Sequence, residues 1–295
     1  MRPPPSLLHL SHLLLVASFS LPLAAQATPP LNMELTWVTL SAEPYTVTEG
    51  KRAGQGFMDL LIKAMNPRMS SLPPKQVHAI APRIELEMRK TGGVRCTTGL
   101  LQTPAREQYL IFSQPYMKIL PNGMITLKHW LPHLKQYQNG HQAIQLGKLL
   151  QNPYRRLGVS QSRVFGGSIN SVLQPYLDAR AGNVVTLSGT TNLKMLRSGR
   201  IDAFLGYPFD EYDSGGVPSE ATRDTAFLPV MEGGGLLPAV IACQRTPDGQ
   251  QAIDAFNSNL ADKQWQRSLL AAYEFWLTPS AIATLRVLER QEAGN

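Results

Sequence analysis

Strand-like and helix-like segments alternate along most of this chain, and that alternation limits the folds open to it. The strand-like LTWVTL at Leu35–Leu40 precedes GFMDLLIKAM at residues 56–65, whose apolar residues have helical spacing. A second series, over residues 128–229, contains the segments RLGVSQS, NSVLQPYLDAR, NVVTL, TTNLKMLRSGR and IDAFLGY. The alternation predicts an α/β fold, and two series in 295 residues predict two lobes.

Near the chain end, Pro247-Asp248-Gly249 predicts a helix start with Asp248 as N-cap.

The first residues have the composition of an export signal. Arg2 precedes an apolar run, and Ala25-Gln26-Ala27 has the small-x-small pattern that signal peptidase requires. We therefore predict a cleaved signal peptide over residues 1–27, with Thr28 as the first mature residue. A transmembrane anchor is disfavoured because serine, histidine and proline interrupt the run. No cysteine stands at the cleavage point to carry a lipid, so we expect a periplasmic protein.

The net charge is modest and spread along the sequence. Removing Arg2 with the signal peptide, which contains no acid, lowers the charge from +7 to +6. The basic residues form only short clusters such as Tyr154-Arg155-Arg156, so no stripe follows a phosphate backbone. We expect no nucleic-acid partner, and a mild attraction for anionic solutes.

Two cysteines, Cys96 and Cys243, lie in the predicted mature chain. Export to an oxidising compartment favours a single disulfide between them. The alternative is two buried thiols. A catalytic Cys–His pair is disfavoured, because neither cysteine lies in a nucleophile motif.

Metal and enzyme motifs are missing from the sequence. His129 and His133 have the i, i+4 spacing of paired ligands, but Pro132 disfavours a regular helix there and no carboxylate follows in a zinc pattern. The segment GVSQS has serine where a nucleophile elbow needs its second glycine, and no phosphate-binding Gly-Lys-Ser/Thr loop occurs. We therefore assign no catalytic residue, no metal site and no cofactor.

Several segments together resemble one protein family. GLLQTPAREQYLIFSQPY is similar to the G-x-T-x-T-x-x-R-x-x-x-x-x-F-S-x-P-Y signature of the bacterial extracellular solute-binding proteins of family 3, which include the polar amino-acid receptors of ABC importers. The segments EPY, GQGFMDLL, RRLGVSQSRVF, LRSGRIDAFLGY and YEFWL follow the family's order. The resemblance covers nearly all of the predicted mature chain.

This resemblance implies a two-lobed type II periplasmic binding protein fold. Each lobe is then a mixed β-sheet flanked by helices, and two strands cross between the lobes as a hinge. Residues 28–120 and 236–295 would form lobe 1, and residues 121–235 would form lobe 2. Cys96 and Cys243 would lie on neighbouring strands of lobe 1, which makes a disulfide between them geometrically sensible.

The resemblance also implies an anchor for a carboxylate. In the amino-acid receptors, the arginine that matches Arg106 holds the ligand's carboxylate, because its planar guanidinium offers two parallel donors. Backbone N–H groups near Gly99 and Leu101 would assist. The alternative for Arg106 is a surface ion pair with Glu107 or another nearby acid.

Two departures from the family pattern affect the predicted ligand. Leu101 replaces a threonine of the signature, and Tyr207 replaces the acid that pairs with a ligand's α-ammonium. An ordinary amino acid would leave its ammonium unpaired, which is costly in a closed cleft. We expect Tyr45 and Tyr207 to line the cleft, with Ser162 and Arg163 contributing from lobe 2. Each tyrosine has packing as its alternative role.

The expected function is capture of a small polar, carboxylate-bearing solute for an ABC-type importer, by a monomer without enzymatic activity. The partner would be an inner-membrane permease. One alternative is a periplasmic dehydratase of the cyclohexadienyl type, which shares the fold and would need an acid such as Glu43 or Asp59 in the cleft. Another is a subunit that presents its ligand to a membrane sensor.

Overall fold

The computed structural model describes residues 30–160, 163, 165–187, 191–212 and 224–293. The predicted signal peptide therefore lies outside the described residues. The strands are β1 (Leu35–Leu40), β2 (Lys75–Ala79), β3 (Val94–Thr97), β4 (Leu110–Phe112), β5 (Met117–Ile119), β6 (Gly123–Leu127), β7 (Leu157–Ser160), β8 (Val184–Leu187), β9 (Ala203–Gly206), β10 (Thr225–Leu228), β11 (Leu237–Ala239) and β12 (Ala242–Gln244). The helices are α1 (Phe57–Met69), α2 (Ala81–Glu87), α3 (Pro104–Glu107), α4 (Leu131–Leu134), α5 (Leu146–Leu150), α6 (Ile169–Asp178), α7 (Asn192–Arg197), α8 (Pro247–Ser258), α9 (Lys263–Glu274) and α10 (Pro279–Ala293). No helix in this part of the chain is long and apolar enough to cross a membrane.

Two five-stranded mixed sheets form the centres of two lobes. The lobe 1 sheet has the order β2-β1-β3-β12-β4, in which β1 to β3 are parallel and β12 is antiparallel to both of its neighbours. The lobe 2 sheet has the order β10-β6-β9-β7-β8. Because β12 enters lobe 1 between β3 and β4, the end of the chain completes the lobe that its beginning started.

A two-stranded ribbon connects the lobes. Strands β5 and β11 pair antiparallel, with Met117 opposite Ala239 and Ile119 opposite Leu237. This arrangement confirms the predicted two-lobed α/β fold with a two-strand hinge. The predicted lobe bounds, at residues 120/121 and 235/236, fall beside these hinge strands and remain a prediction.

A disulfide crosses the centre of the lobe 1 sheet. Cys96 on β3 and Cys243 on β12 stand directly opposite each other, and their sulfur atoms are bonded. Both cysteines are completely buried. The bond joins the two parts of lobe 1 across 147 residues of sequence.

Local capping explains where two of the lobe 1 helices begin. The Asp59 carboxylate accepts hydrogen bonds from the backbone N–H groups of Gly56 and Val47, both at 3.0 Å, and thereby fixes the start of α1. At α8 the N-cap is Thr246, whose hydroxyl accepts from the Gly249 N–H at 3.0 Å. The predicted N-cap, Asp248, is wrong, because Pro247 is already the first helical residue.

A buried carboxylate connects lobe 2 to the last helix. Glu211 accepts hydrogen bonds from Thr225 on β10 at 3.1 Å and from Thr278, just before α10, at 3.0 Å. Burial raises the pKa of Glu211 to about 7, against the opposing effect of these two hydrogen bonds. The Glu211 carboxyl group therefore binds its proton more tightly in the folded chain than in the unfolded chain, in which a glutamate has a pKa of about 4.3.

We expect this group to make the protein more stable at low pH. Its contribution is fully present below about pH 4, is lost as the pH rises through about 7, and amounts to about 3 kcal/mol. Urea unfolding at about pH 5 and about pH 8 measures it, and Glu211→Gln should remove this part of the pH dependence. Glu289→Gln serves as the control, because Glu289 is a half-buried glutamate of α10 whose partner is Arg286. An unchanged pH dependence in Glu211→Gln would contradict the assignment.

Candidate functional site

Loops that follow strands of both sheets meet between the lobes. Tyr45 follows β1 in lobe 1, whereas Arg163, Tyr207 and Asp210 follow β7 and β9 in lobe 2. The Tyr45 hydroxyl donates a hydrogen bond to Asp210 Oδ1 at 3.2 Å, which joins the lobes directly. We call these four residues the interlobe site. It lies beyond the carboxyl ends of parallel strands, where open α/β sheets bind ligands.

An ion pair occupies the middle of the interlobe site. The Arg163 guanidinium donates to both oxygens of Asp210, from Nη1 to Oδ2 and from Nη2 to Oδ1 at 3.3 Å. The Tyr207 backbone N–H donates to Asp210 Oδ2 at 2.8 Å. The centre of the guanidinium also lies 5.3 Å from the centroid of the Tyr207 ring. In this structure the hydrogen-bond donors of Arg163 are therefore paired with Asp210, an acid of the same chain.

Burial and charge act together on the titration of this site. Burial raises the pKa of Tyr45 well above its ordinary value, and the Asp210 carboxylate raises it further. Burial disfavours the charge on Arg163, but the carboxylate of Asp210 outweighs it, so the pKa of Arg163 is raised. The site therefore holds a charged Arg163 guanidinium and a neutral Tyr45 at physiological pH.

Arg106 lies on the lobe 1 side, on the short helix α3, and also holds a carboxylate. Its Nη2 and Nε donate to Glu85 Oε1 at 2.8 and 3.2 Å, and its Nη1 donates to the Leu101 carbonyl at 2.8 Å. Tyr109 donates its hydroxyl to the other oxygen of Glu85 at 2.8 Å. The hydrogen bond from Arg106 lowers the pKa of Glu85. The partner of Arg106 is thus Glu85 from α2, and not Glu107.

Arg106 lies within electrostatic reach of the lobe 2 residues. Burial raises the pKa of Tyr207, while the positive charges of Arg163 and Arg106 oppose that increase. The two arginines therefore act on the same tyrosine from opposite lobes. The structure brings Tyr45, Arg106, Arg163 and Tyr207 into one region.

The loop predicted to assist Arg106 makes contacts within lobe 1. The Gly99 N–H donates to the Thr97 hydroxyl at 3.2 Å, and Leu101 contributes its carbonyl to Arg106 rather than an N–H. Ser162, predicted to contribute from lobe 2, lies outside the described residues.

Two buried polar atoms around this region have no hydrogen-bond partner among the residues that the structure describes. They are the hydroxyls of Thr46 and Thr98. The side-chain amide of Asn122, by contrast, hydrogen-bonds to Tyr207 and opposes the rise in the pKa of that tyrosine. Thr46 and Thr98 adjoin Tyr45 and Gly99, and Asn122 lies between β5 of the hinge and β6. Unpaired polar groups in a protein interior are costly unless a ligand or water satisfies them.

An aromatic cluster holds the lobes together behind the interlobe site. Phe209, three per cent exposed, follows β9 in lobe 2 but stacks on Phe57 of lobe 1 at 4.5 Å between ring centroids. Its ring also makes edge contacts with Tyr45 at 5.8 Å and Tyr273 at 5.5 Å. One apolar core therefore runs from lobe 1 into lobe 2.

Side chains of the interlobe site and of the aromatic cluster make direct contacts between the lobes. A surface pocket of about 460 Å³ lies elsewhere, in lobe 1 beside α1, with Lys63, Pro67 and Pro74 in its wall. Of the residues that the sequence analysis named for the cleft, only Asp59, an acid considered for a dehydratase, lines it. The interlobe site is recognised by its buried charges and unpaired polar atoms.

Sequence reasoning missed Glu85 and Asp210. A signal for Asp210 was present in the sequence. Pro208 can start a turn, and an acid two residues after it can accept a hydrogen bond from the backbone N–H of Tyr207, the residue before the proline. Glu85 carried no comparable signal, since its contact with Arg106 joins two separate helices of lobe 1, α2 and α3.

The side chains considered for enzyme and metal roles make contacts that support the fold. The carboxylate of Asp59 is used at the start of α1. The rings of His129 and His133 both contact Trp130, with centroids 5.5 and 5.4 Å from that of Trp130. Within the described ranges, no group of three His, Cys, Asp or Glu side chains could hold a metal ion.

Comparison with solved structures identifies the fold. An ancestral cationic amino acid solute binding protein superposes with a TM-score of 0.58 at 15% identity, over 84% of this chain and 96% of that chain. The amino acid ABC transporter substrate-binding protein AbpA from Streptococcus pneumoniae, bound to L-arginine, gives 0.55 at 15% identity, over 83% and 96%. The periplasmic VFT2 domain of BvgS from Bordetella pertussis gives 0.50 at 17% identity, over 82% and 93%. No protein-family model and no curated protein sequence matches the chain.

Proposed function

We propose that this chain, which has the two-lobed fold of the amino-acid solute-binding proteins, captures a small polar, carboxylate-bearing solute between its lobes. Its route is delivery to an inner-membrane permease of the ABC type. The protein acts in the periplasm as a monomer after loss of residues 1–27. Ligand that contacts both lobes favours the closed form, and the membrane partner recognises that form.

The observation that carries this proposal is the geometry of Arg106. Its guanidinium already binds one carboxylate oxygen of Glu85 through two nitrogens, which is the interaction that a solute carboxylate would make. The Arg106 side chain is 16% exposed and that of Glu85 is 43% exposed, so the acid is the more accessible partner. A solute carboxylate would take the place of Glu85 on Arg106.

The surroundings of Arg106 suit a polar solute. Tyr45 and Tyr207 offer aromatic rings from opposite lobes, and the loop with Gly99 and Leu101 contacts the arginine through the Leu101 carbonyl. The side-chain amide of Asn122, which hydrogen-bonds to Tyr207, adds a donor and an acceptor beside the hinge.

Arg106→Ala should weaken solute binding by about 10- to 100-fold, because a hydrogen-bonded charge pair contributes about 1.5–3 kcal/mol. Purified wild-type protein, stripped of ligand, is first exposed to a mixture of amino acids, carboxylates and prephenate, and mass spectrometry records what is retained. Calorimetry with the retained compound then gives the affinity of each variant. Arg68→Ala is the control, since Arg68 forms an arginine–carboxylate pair with Asp262 elsewhere in lobe 1. Equal affinity of wild type and Arg106→Ala would refute the anchor.

The same experiment separates the two alternatives. Consumption of a compound, prephenate in particular, with a new product appearing would establish a dehydratase in place of a receptor. The likeness to a BvgS periplasmic domain is the observation that favours a sensory role. Retention without consumption fits both transport and sensing, and loss of solute uptake in a deletion strain then identifies transport.

A further inference from the structure

Asp210 is held in place independently of its ion pair. The Tyr207 N–H and the Tyr45 hydroxyl donate to its carboxylate at 2.8 and 3.2 Å, and neither bond involves Arg163. The first of these bonds also closes the turn Pro208–Glu211, so local backbone structure fixes the position of Asp210. The carboxylate would keep both donors if Arg163 moved away.

Arg163 depends on Asp210 to a greater degree. Among the residues that the structure describes, both hydrogen bonds of its guanidinium go to Asp210, and its other contact is the face of Tyr207. An acid whose two oxygens both accept from one guanidinium, beside an aromatic face, suits any planar organic cation, and not Arg163 alone. Asp210 thus supplies, three residues later, the acid that is missing at Tyr207.

We propose that Arg163 is an internal competitor for a cation subsite formed by Asp210, Tyr45 and Tyr207, and that the cationic group of the solute displaces it. This inference rests on the proposed function and narrows the solute to one that carries a guanidinium in addition to its carboxylate. The guanidinium is preferred over a simple ammonium because two nitrogens of Arg163 reach the two oxygens of Asp210.

The burial of the pair determines which solutes can compete. The side chains of Asp210 and Arg163 are only 12% and 21% exposed, so removing Arg163 without a substitute would leave a buried carboxylate without a cation. A neutral solute supplies no such substitute and is excluded. A cationic solute binds with an apparent affinity that is reduced by the fraction of molecules in which Arg163 covers the subsite.

Removal of the competitor should therefore strengthen the binding of cations alone. Calorimetry compares wild type with Arg163→Gln, using L-arginine, L-citrulline, which has an uncharged group in place of the guanidinium, and agmatine, which lacks the carboxylate. If the subsite is open in about a tenth of wild-type molecules, Arg163→Gln binds L-arginine and agmatine about tenfold more tightly, with no gain for L-citrulline. Arg163→Lys, which keeps the charge, should show a smaller gain.

Asp210 is tested in the background that lacks its partner. Asp210→Asn alone would leave the buried Arg163 unpaired, so the double variant Arg163→Gln/Asp210→Asn is used, and circular dichroism verifies its fold. The double variant should lose the gain for L-arginine and agmatine. Weaker or unchanged L-arginine binding by Arg163→Gln would overturn the inference, as would an equal gain for L-citrulline.

Arg106→Ala makes failure of this inference distinguishable from failure of the proposed function. If Arg106→Ala weakens the binding of L-arginine but not that of agmatine, the carboxylate anchor is supported regardless of the result with Arg163→Gln. If Arg106→Ala leaves the affinity for L-arginine unchanged while Arg163→Gln still increases it, the cation subsite is supported and the carboxylate anchor is not. Failure of wild type and Arg163→Gln to bind L-arginine or agmatine overturns the cation subsite, and the metabolite mixture then decides the function separately.

Discussion

Replacement of both Cys96 and Cys243 by alanine should lower the free energy of unfolding by about 5 kcal/mol. The bond closes a loop of 147 residues, and in the chain-entropy account a loop of that size restricts the unfolded chain by about this amount. Equilibrium unfolding in urea measures the difference between the double variant and the oxidised protein. The denaturant dependence should steepen as well, because the unfolded chain without the bond exposes more surface.

Reduction of the wild-type bond provides an independent check on that result. Both sulfur-bearing side chains are completely buried, so a thiol reductant should open the bond only in concentrations of denaturant that unfold lobe 1. The single variant Cys96→Ala, which breaks the bond but keeps one buried thiol, should lose nearly as much stability as the double variant. A loss below about 1 kcal/mol in both variants would contradict the loop-closure argument.

The fold was accessible from the sequence because its elements are locally periodic. The pattern at Leu35–Leu40 and the helical spacing in α1 place their elements correctly. The central strand β1 is buried on both faces, with Trp37 and Val38 completely buried, so its strand-forming residues carry the signal. The position of β12 inside the lobe 1 sheet is different, because its pairing with β3 joins residues 147 apart. Only the family resemblance predicted that neighbourhood, through the place of Cys243 on the returning strand.

The site was less accessible, because its charges are satisfied by residues far away in the sequence. Arg106 could be selected from its signature, but its partner Glu85 lies on another helix. Arg163 could be selected from its loop, whereas its pairing with Asp210 depends on how β7 and β9 lie in the lobe 2 sheet. Sequence patterns thus identified the donors in the site and did not identify the acids that hold them.

Phe209→Ala should weaken the connection between the lobes and destabilise the chain by about 3–5 kcal/mol, the usual cost of truncating a buried phenylalanine. Phe209 belongs to lobe 2 by its position after β9, but three of its aromatic neighbours, Tyr45, Phe57 and Tyr273, belong to lobe 1. Its removal therefore leaves a cavity at the contact between the lobes. Urea unfolding measures the loss of stability, and small-angle scattering measures the separation of the lobes.

A second phenylalanine separates these two effects. Phe256 is also fully buried, but its ring contacts, Tyr116 and Trp265, lie with it in lobe 1. Phe256→Ala should lower stability by a similar amount without changing the radius of gyration, whereas Phe209→Ala should increase it. Phe209→Ala also removes one packing partner of Tyr45. The hydrogen bond from Tyr45 to Asp210, which joins the lobes, should therefore weaken as the lobes separate. If both variants left the scattering profile unchanged, Asp210 and Tyr45 rather than the aromatic cluster would hold the lobes closed.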